Sequence, residues 1–175
     1  LHHKDHFHQI LPPTEGKKVK LDAPAPFDLE SASSSYLVAK LTATDSSGLS
    51  TMVERLIRPE IANVVVDTEP SGLTITANEE SFVTPAVITS WAGQTLSLEP
   101  PKYQTHDGIE YAFSEWSDGA SLRHSIEASS SSSSPDTLIA AFRRTSPFVD
   151  IGKPADGSTF AIGDVLALTG DARDA

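Results

Sequence analysis

Tyr36-Leu37-Val38-Ala39-Lys40-Leu41-Thr42-Ala43-Thr44-Asp45-Ser46-Ser47-Gly48 is the stretch that decides the fold class. Leu37, Ala39, Leu41 and Ala43 fall on one side of it, and Tyr36, Val38 and Lys40 on the other. A period of two belongs to an extended strand, not to a helical stripe. Asp45-Ser46-Ser47-Gly48 then supplies turn chemistry, so residues 49–57 are expected to return as the second strand of a hairpin. Arg58-Pro59 ends it, because proline cannot donate to a ladder.

The same pattern continues outward. Helix signals are nearly absent, and short alternating runs recur between Gly, Pro and Asp turns, which is the all-β signature. Strands are expected at 61–66, 73–77, 83–85, 87–89, 95–98, 109–116, 122–128 and 138–143, roughly seven or eight and enough for a small sandwich or barrel. Within 109–116, Ile109, Tyr111, Phe113 and Glu115 are expected on one side. Beyond Thr145-Ser146-Pro147, residues 148–151 and 164–169 read as two more strands around a Pro154-Ala155-Asp156-Gly157 turn. Two strands do not make a stable sheet alone, so this tail needs a partner. Six consecutive serines at 129–134 are expected as an exposed loop tip, suited to O-linked sugar in a secreted protein.

At 175 residues and 38% apolar content the chain has room for one or two packed domains. A formal net charge of −11 opposes nucleic acid and anionic membrane as partners. The absence of cysteine excludes disulfides, thiol chemistry and cysteine-zinc sites. No apolar run approaches the ~18 residues of a membrane span, so no helical membrane insertion is expected. The first residue is Leu1 rather than Met, which reads as a processed product or an excerpt.

Candidate chemistry is sparse. Read as one strand, Leu1-His2-His3-Lys4-Asp5-His6-Phe7-His8 puts His2, His6 and His8 on a shared face. Neutral imidazoles suit zinc, copper or nickel, which makes these three the candidate transition-metal ligands. Asp171 and Asp174, with Asp45 at its turn, are the candidate oxygen ligands for calcium. Ordinary turn chemistry explains each aspartate equally. Trp91, beside Ala92-Gly93, is the candidate exposed ring for sugar stacking, whereas Trp116 reads as packing. There is no Gly-x-Ser-x-Gly, phosphate loop or His-Glu-x-x-His, and no catalytic role is expected.

Several segments carry a resemblance. Ile151, Pro154, Asp156, Gly157, Phe160, Gly163 and Asp164, followed by Gly170, Ala172 and Asp174, resemble the opening strands of immunoglobulin-like repeats in secreted bacterial proteins. Residues 41–49 resemble the closing hairpin of the same repeats, including polycystic-kidney-disease-type domains. Residues 2–13 resemble the preceding strand in repeats appended to secreted sugar dehydrogenases of the glucose/sorbosone type. The dehydrogenase propeller is absent, so none of its chemistry carries over. Residues 64–75 with Thr84-Pro85 resemble a PEGA-type module. Residues 111–119, with Ala140-Ala141-Phe142, resemble a bacterial "F-x-x-W-S-D-G…A-x-F" surface repeat.

The resemblance implies tandem immunoglobulin-like β-sandwiches, one complete (60–146) and one split between closing strands (1–59) and opening strands (147–175). In this permuted order the chain is either an excerpt of a longer array or a subunit whose tail completes its neighbour, as donor strands do. The second reading gives an extracellular or cell-surface filament, because a heterologous contact that does not close propagates. Its donor anchors are Phe148, Val149, Ile151, Phe160, Val165, Leu166 and Leu168. Its acceptor anchors are Leu37, Ala39, Leu41, Leu49 and Val53. The alternative is an accessory carbohydrate-binding or adhesive module within a longer secreted protein.

Overall fold

The computed structural model describes residues 1–130 and 137–173, without the side chain of Arg173. The described chain is all-β. Its strands are β1 (His2–His3), β2 (His6–Phe7), β3 (Leu37–Thr44), β4 (Ser50–Ile57), β5 (Ile61–Glu69), β6 (Thr74–Ala77), β7 (Glu80–Val83), β8 (Ala86–Trp91), β9 (Thr95–Glu99), β10 (Tyr103–His106), β11 (Ile109–Trp116), β12 (His124–Glu127), β13 (Leu138–Arg144), β14 (Phe148–Lys153) and β15 (Thr169–Arg173).

The middle of the chain forms two sheets. One has five strands in the order β10-β11-β13-β5-β8, the other four in the order β12-β9-β6-β7. Every pairing is antiparallel except β13 with β5, which run parallel with Leu138 opposite Val66 and Ala141 opposite Glu69. Alternation explains how the two sheets share one core. Ala62 and Val66 on β5, Ile75 and Ala77 on β6, and Leu96 and Leu98 on β9 are all buried in a single cluster. Their strand neighbours are more exposed. A buried hydroxyl pair lies at the edge of this core. Thr84 Oγ1 donates to the Leu73 carbonyl at 2.9 Å and lies 2.5 Å from Thr68 Oγ1, so neither buried hydroxyl lacks a partner.

The expected alternation of 109–116 fails at one point. The β11–β13 register shifts between Phe113 and Glu115. This bulge reverses the faces beyond it, so Glu115 is exposed and Trp116 is only 1% exposed. Trp116 Nε1 donates to the Leu122 carbonyl at 3.1 Å. In the tail, residues 164–168 form no strand; the second strand begins only at Thr169 and pairs with β14. The strand at Tyr103–His106 carries no clear apolar alternation and was not anticipated.

Residues 28–35 are irregular but firmly held. Asp28 Oδ1 accepts from the Ser31 amide at 2.7 Å and the Ser31 hydroxyl at 2.6 Å. The amides of Ser34 and Ser35 both donate to the Ser31 carbonyl at 3.0 Å. Leu29 is buried in the core of the two large sheets, and its amide donates to Glu80 Oε1 at 2.7 Å. Ala32 packs with Leu1 and Trp91 in a second small cluster.

Candidate functional site

Two hairpins flank the middle sheets, and each presents an uncovered apolar face. In the β3–β4 pair, Leu37 lies opposite Ile57, Ala39 opposite Arg55, Leu41 opposite Val53, and Ala43 opposite Thr51. Residues directly opposite one another project to the same side, so this side is largely apolar. The other side is mixed: it carries the Lys40–Glu54 ion pair at 2.9 Å and the Thr44–Ser50 hydroxyl pair at 2.7 Å, alternating with Val38 opposite Leu56 and Thr42 opposite Met52. Burial would normally select the first side as the inner one. Instead Leu41 is 64% exposed, and Val53, Ile57 and Ala39 are exposed as well. Leu37 differs from the other acceptor anchors, because it packs against the Leu1–Ala32–Trp91 cluster. Leu49 lies in the turn and is exposed; its amide donates to Asp45 Oδ1 at 3.0 Å.

The β14–β15 hairpin repeats the arrangement. Val149 faces Ala172 and Ile151 faces Gly170 on one side, with Asp150 opposite Asp171 on the other. Val149 is 74% exposed, and Ile151, Phe160, Val165, Leu166 and Leu168 are also exposed. Phe148 is half-buried beneath Arg144, whose guanidinium carbon lies 4.9 Å from the ring centroid.

The histidine-rich segment departs from the single strand expected of it. Lys4 takes φ of 52°, and Lys4-Asp5 closes a two-residue turn between β1 and β2, with His3 opposite His6. Non-glycine residues rarely enter this left-handed region. Here the Lys4 ammonium is tied to Glu30 at 2.9 Å and to Asp28 at 3.4 Å. Folding back separates His2 from His6 and His8. The His2 ring stacks on Tyr36 at 4.5 Å and meets Phe7 edge-on at 4.8 Å. His3 takes its place. One ring nitrogen from each of His3, His6 and His8 lies within 4.8 Å of the others.

Two carboxylates orient this triad. Asp28 Oδ2 lies 2.7 Å from His3 Nε2, and Asp5 Oδ1 lies 3.0 Å from His6 Nδ1. His6 Nε2 and His8 Nε2 face each other at 2.8 Å. His3 is 9% exposed, and its Nδ1 is buried without a hydrogen-bond partner, at a typical cost of about 1–3 kcal/mol. The Ser31 hydroxyl, with His3, the Ser31 amide and Lys4, holds the Asp28 carboxyl well below the usual carboxylate range. Partial desolvation and the neighbouring imidazoles of His6 and His3 lower the pKa of His8, favouring its neutral form.

The remaining candidates fare differently. Trp91 is not an exposed platform: it is 7% exposed, and its Nε1 donates to the Ala32 carbonyl at 2.8 Å. Leu1 and Ala32 are buried with it, and Ile10 and Leu37 pack against the same cluster. Asp45 Oδ1 accepts from the Ser47 amide at 2.8 Å and from Leu49, which is turn chemistry. Among the described residues neither Asp45 nor Asp171 joins a group of three or more potential metal ligands. Asp174 and the serines at 131–134 lie outside the described residues. No family model, curated protein or solved structure matches this chain.

Proposed function

We propose that the chain is an extracellular structural subunit that assembles head to tail. In this reading the β14–β15 hairpin and the apolar segment between its strands complete the β3–β4 hairpin of the next molecule. The observation that carries it is the exposed side of β3–β4 around Leu41 and Val53, which has the alternation of a buried strand pair. The bare side of β14–β15 around Val149 and Ile151 is the matching surface. Uncovered sheet edges and apolar faces are association sites unless something blocks them.

The energetics set the conditions for assembly. Burying Leu41, Val53, Val149 and Ile151 is worth roughly 6–12 kcal/mol at 1.5–3 kcal/mol per side chain. Association costs roughly 4–15 kcal/mol. These four contacts alone leave the balance near zero, so main-chain pairing between the hairpins has to supply the surplus. Sedimentation velocity across a concentration series, with electron microscopy of the same samples, tests the reading. Concentration-dependent fibres that disappear in the Val149→Asp/Ile151→Asp variant are expected. A monodisperse monomer at every concentration would sink it, as would fibres unaffected by the double substitution.

A further inference from the structure

We propose that His3, His6 and His8 form a binding site for one divalent transition-metal ion of the borderline class, zinc first, through Nδ1 of His3 and Nε2 of His6 and His8. Three observations converge on it. The turn at Lys4-Asp5 gathers the three rings so that one nitrogen of each falls within 4.8 Å of the others. Asp28 engages His3 Nε2 and Asp5 engages His6 Nδ1, so each carboxylate fixes the proton on one nitrogen and leaves the other as a lone pair. That carboxylate–imidazole pairing is how metal-bound histidines are oriented. Finally, His3 Nδ1 is buried and lacks a partner, so a metal ion would satisfy a nitrogen that the protein leaves bare.

The three nitrogens, spread over up to 4.8 Å, have to draw in around an ion, the widest pair by about 1.5 Å. Nitrogens about 2.05 Å from a tetrahedral centre sit roughly 3.3 Å apart. The His6 and His8 nitrogens, 2.8 Å apart, have to separate by about half an ångström to reach that spacing. In the free protein one of these two nitrogens carries the hydrogen that bridges them. With the His6 proton held on Nδ1 by Asp5, that hydrogen belongs to His8 Nε2; the ion takes its place and His8 carries its proton on Nδ1 instead, so the ring stays neutral. Three imidazoles and no thiolate favour zinc, copper or nickel over calcium or magnesium. They also leave a fourth position open to water. His6 and Asp5 are exposed, so the ion has a path in.

Calorimetric titration with Zn²⁺ of chelator-treated protein, purified without a polyhistidine tag, is the test, with far-UV circular dichroism confirming that each variant folds. One ion per chain is expected, with at least tenfold weaker binding in His6→Ala and in His8→Ala. Asp28→Asn should weaken binding 10- to 100-fold without removing a ligand, and His2→Ala should leave it unchanged. Co²⁺ in place of Zn²⁺ should give the intense visible absorption of a four-coordinate site. Wild-type uptake no greater than that of the His6→Ala/His8→Ala variant would overturn the site. A loss of affinity in His2→Ala equal to that in His6→Ala would overturn the assigned ligands.

Discussion

The β3–β4 hairpin and the β5–β8 pair of the five-stranded sheet each set apolar residues opposite one another on one side, yet end in opposite environments. Val64 faces Ile88 and Val66 faces Ala86 across β5–β8, and Val66 and Ile88 are wholly buried beneath the second sheet. Leu41 faces Val53 across β3–β4, and both are open to solvent. Alternation therefore specifies that a strand forms and which side is apolar. It does not specify what covers that side. Coverage comes from a second layer, which β6, β7, β9 and β12 provide for one region and which no described element provides for the other.

This contrast can be broken by substitution. Trp116→Ala, at the centre of the shared core, should cost roughly 3–5 kcal/mol, because a large ring is removed from a packed site. Urea denaturation followed by circular dichroism measures it, and a loss below about 1 kcal/mol would mean the two sheets are not closed on one another. Thr84→Val sharpens the picture at the core edge. It deletes a hydroxyl that bonds Thr68 and the Leu73 carbonyl, and about 1 kcal/mol should be lost in the same assay. Leu41→Thr should have the smallest effect on the dilute protein, within about 0.5 kcal/mol. A loss comparable with that of Trp116→Ala would show that the hairpin face is already covered within one molecule.

Most strands were legible because their signals are local. The Asp45-Ser46-Ser47-Gly48 turn and its two flanking strands follow from residues adjacent in sequence, and Asp45 makes the side-chain bonds expected of such a turn. Besides the strand at Tyr103–His106 and the late start of β15, three features were not legible, each for a physical reason. The bulge after Phe113 inserts one residue into β11 and exchanges Glu115 for Trp116 on the inner face. Nothing in the alternation itself announces such an extra residue. The turn in the histidine segment relies on lysine at positive φ, held by long-range ion pairs to residues 28 and 30 instead of by Gly or Asn. Reading straight through it put His2 in the cluster instead of His3. Trp91 is buried with Leu1 and Ala32, which lie in segments without a period, and its bond to the Ala32 carbonyl spans 59 positions in sequence.

The parallel pairing of β13 with β5 has a mechanical meaning. β5 is the first strand of the middle region and β13 the last, and they lie side by side pointing the same way. The polypeptide therefore enters at one end of the unit and leaves at the other, roughly 35 Å away at about 3.3 Å per residue. Tension along the backbone pulls the two strands in opposite directions along their length. Their hydrogen bonds are loaded together, in shear, instead of being unzipped one by one. A unit wired this way resists being drawn apart along the line that joins its two ends.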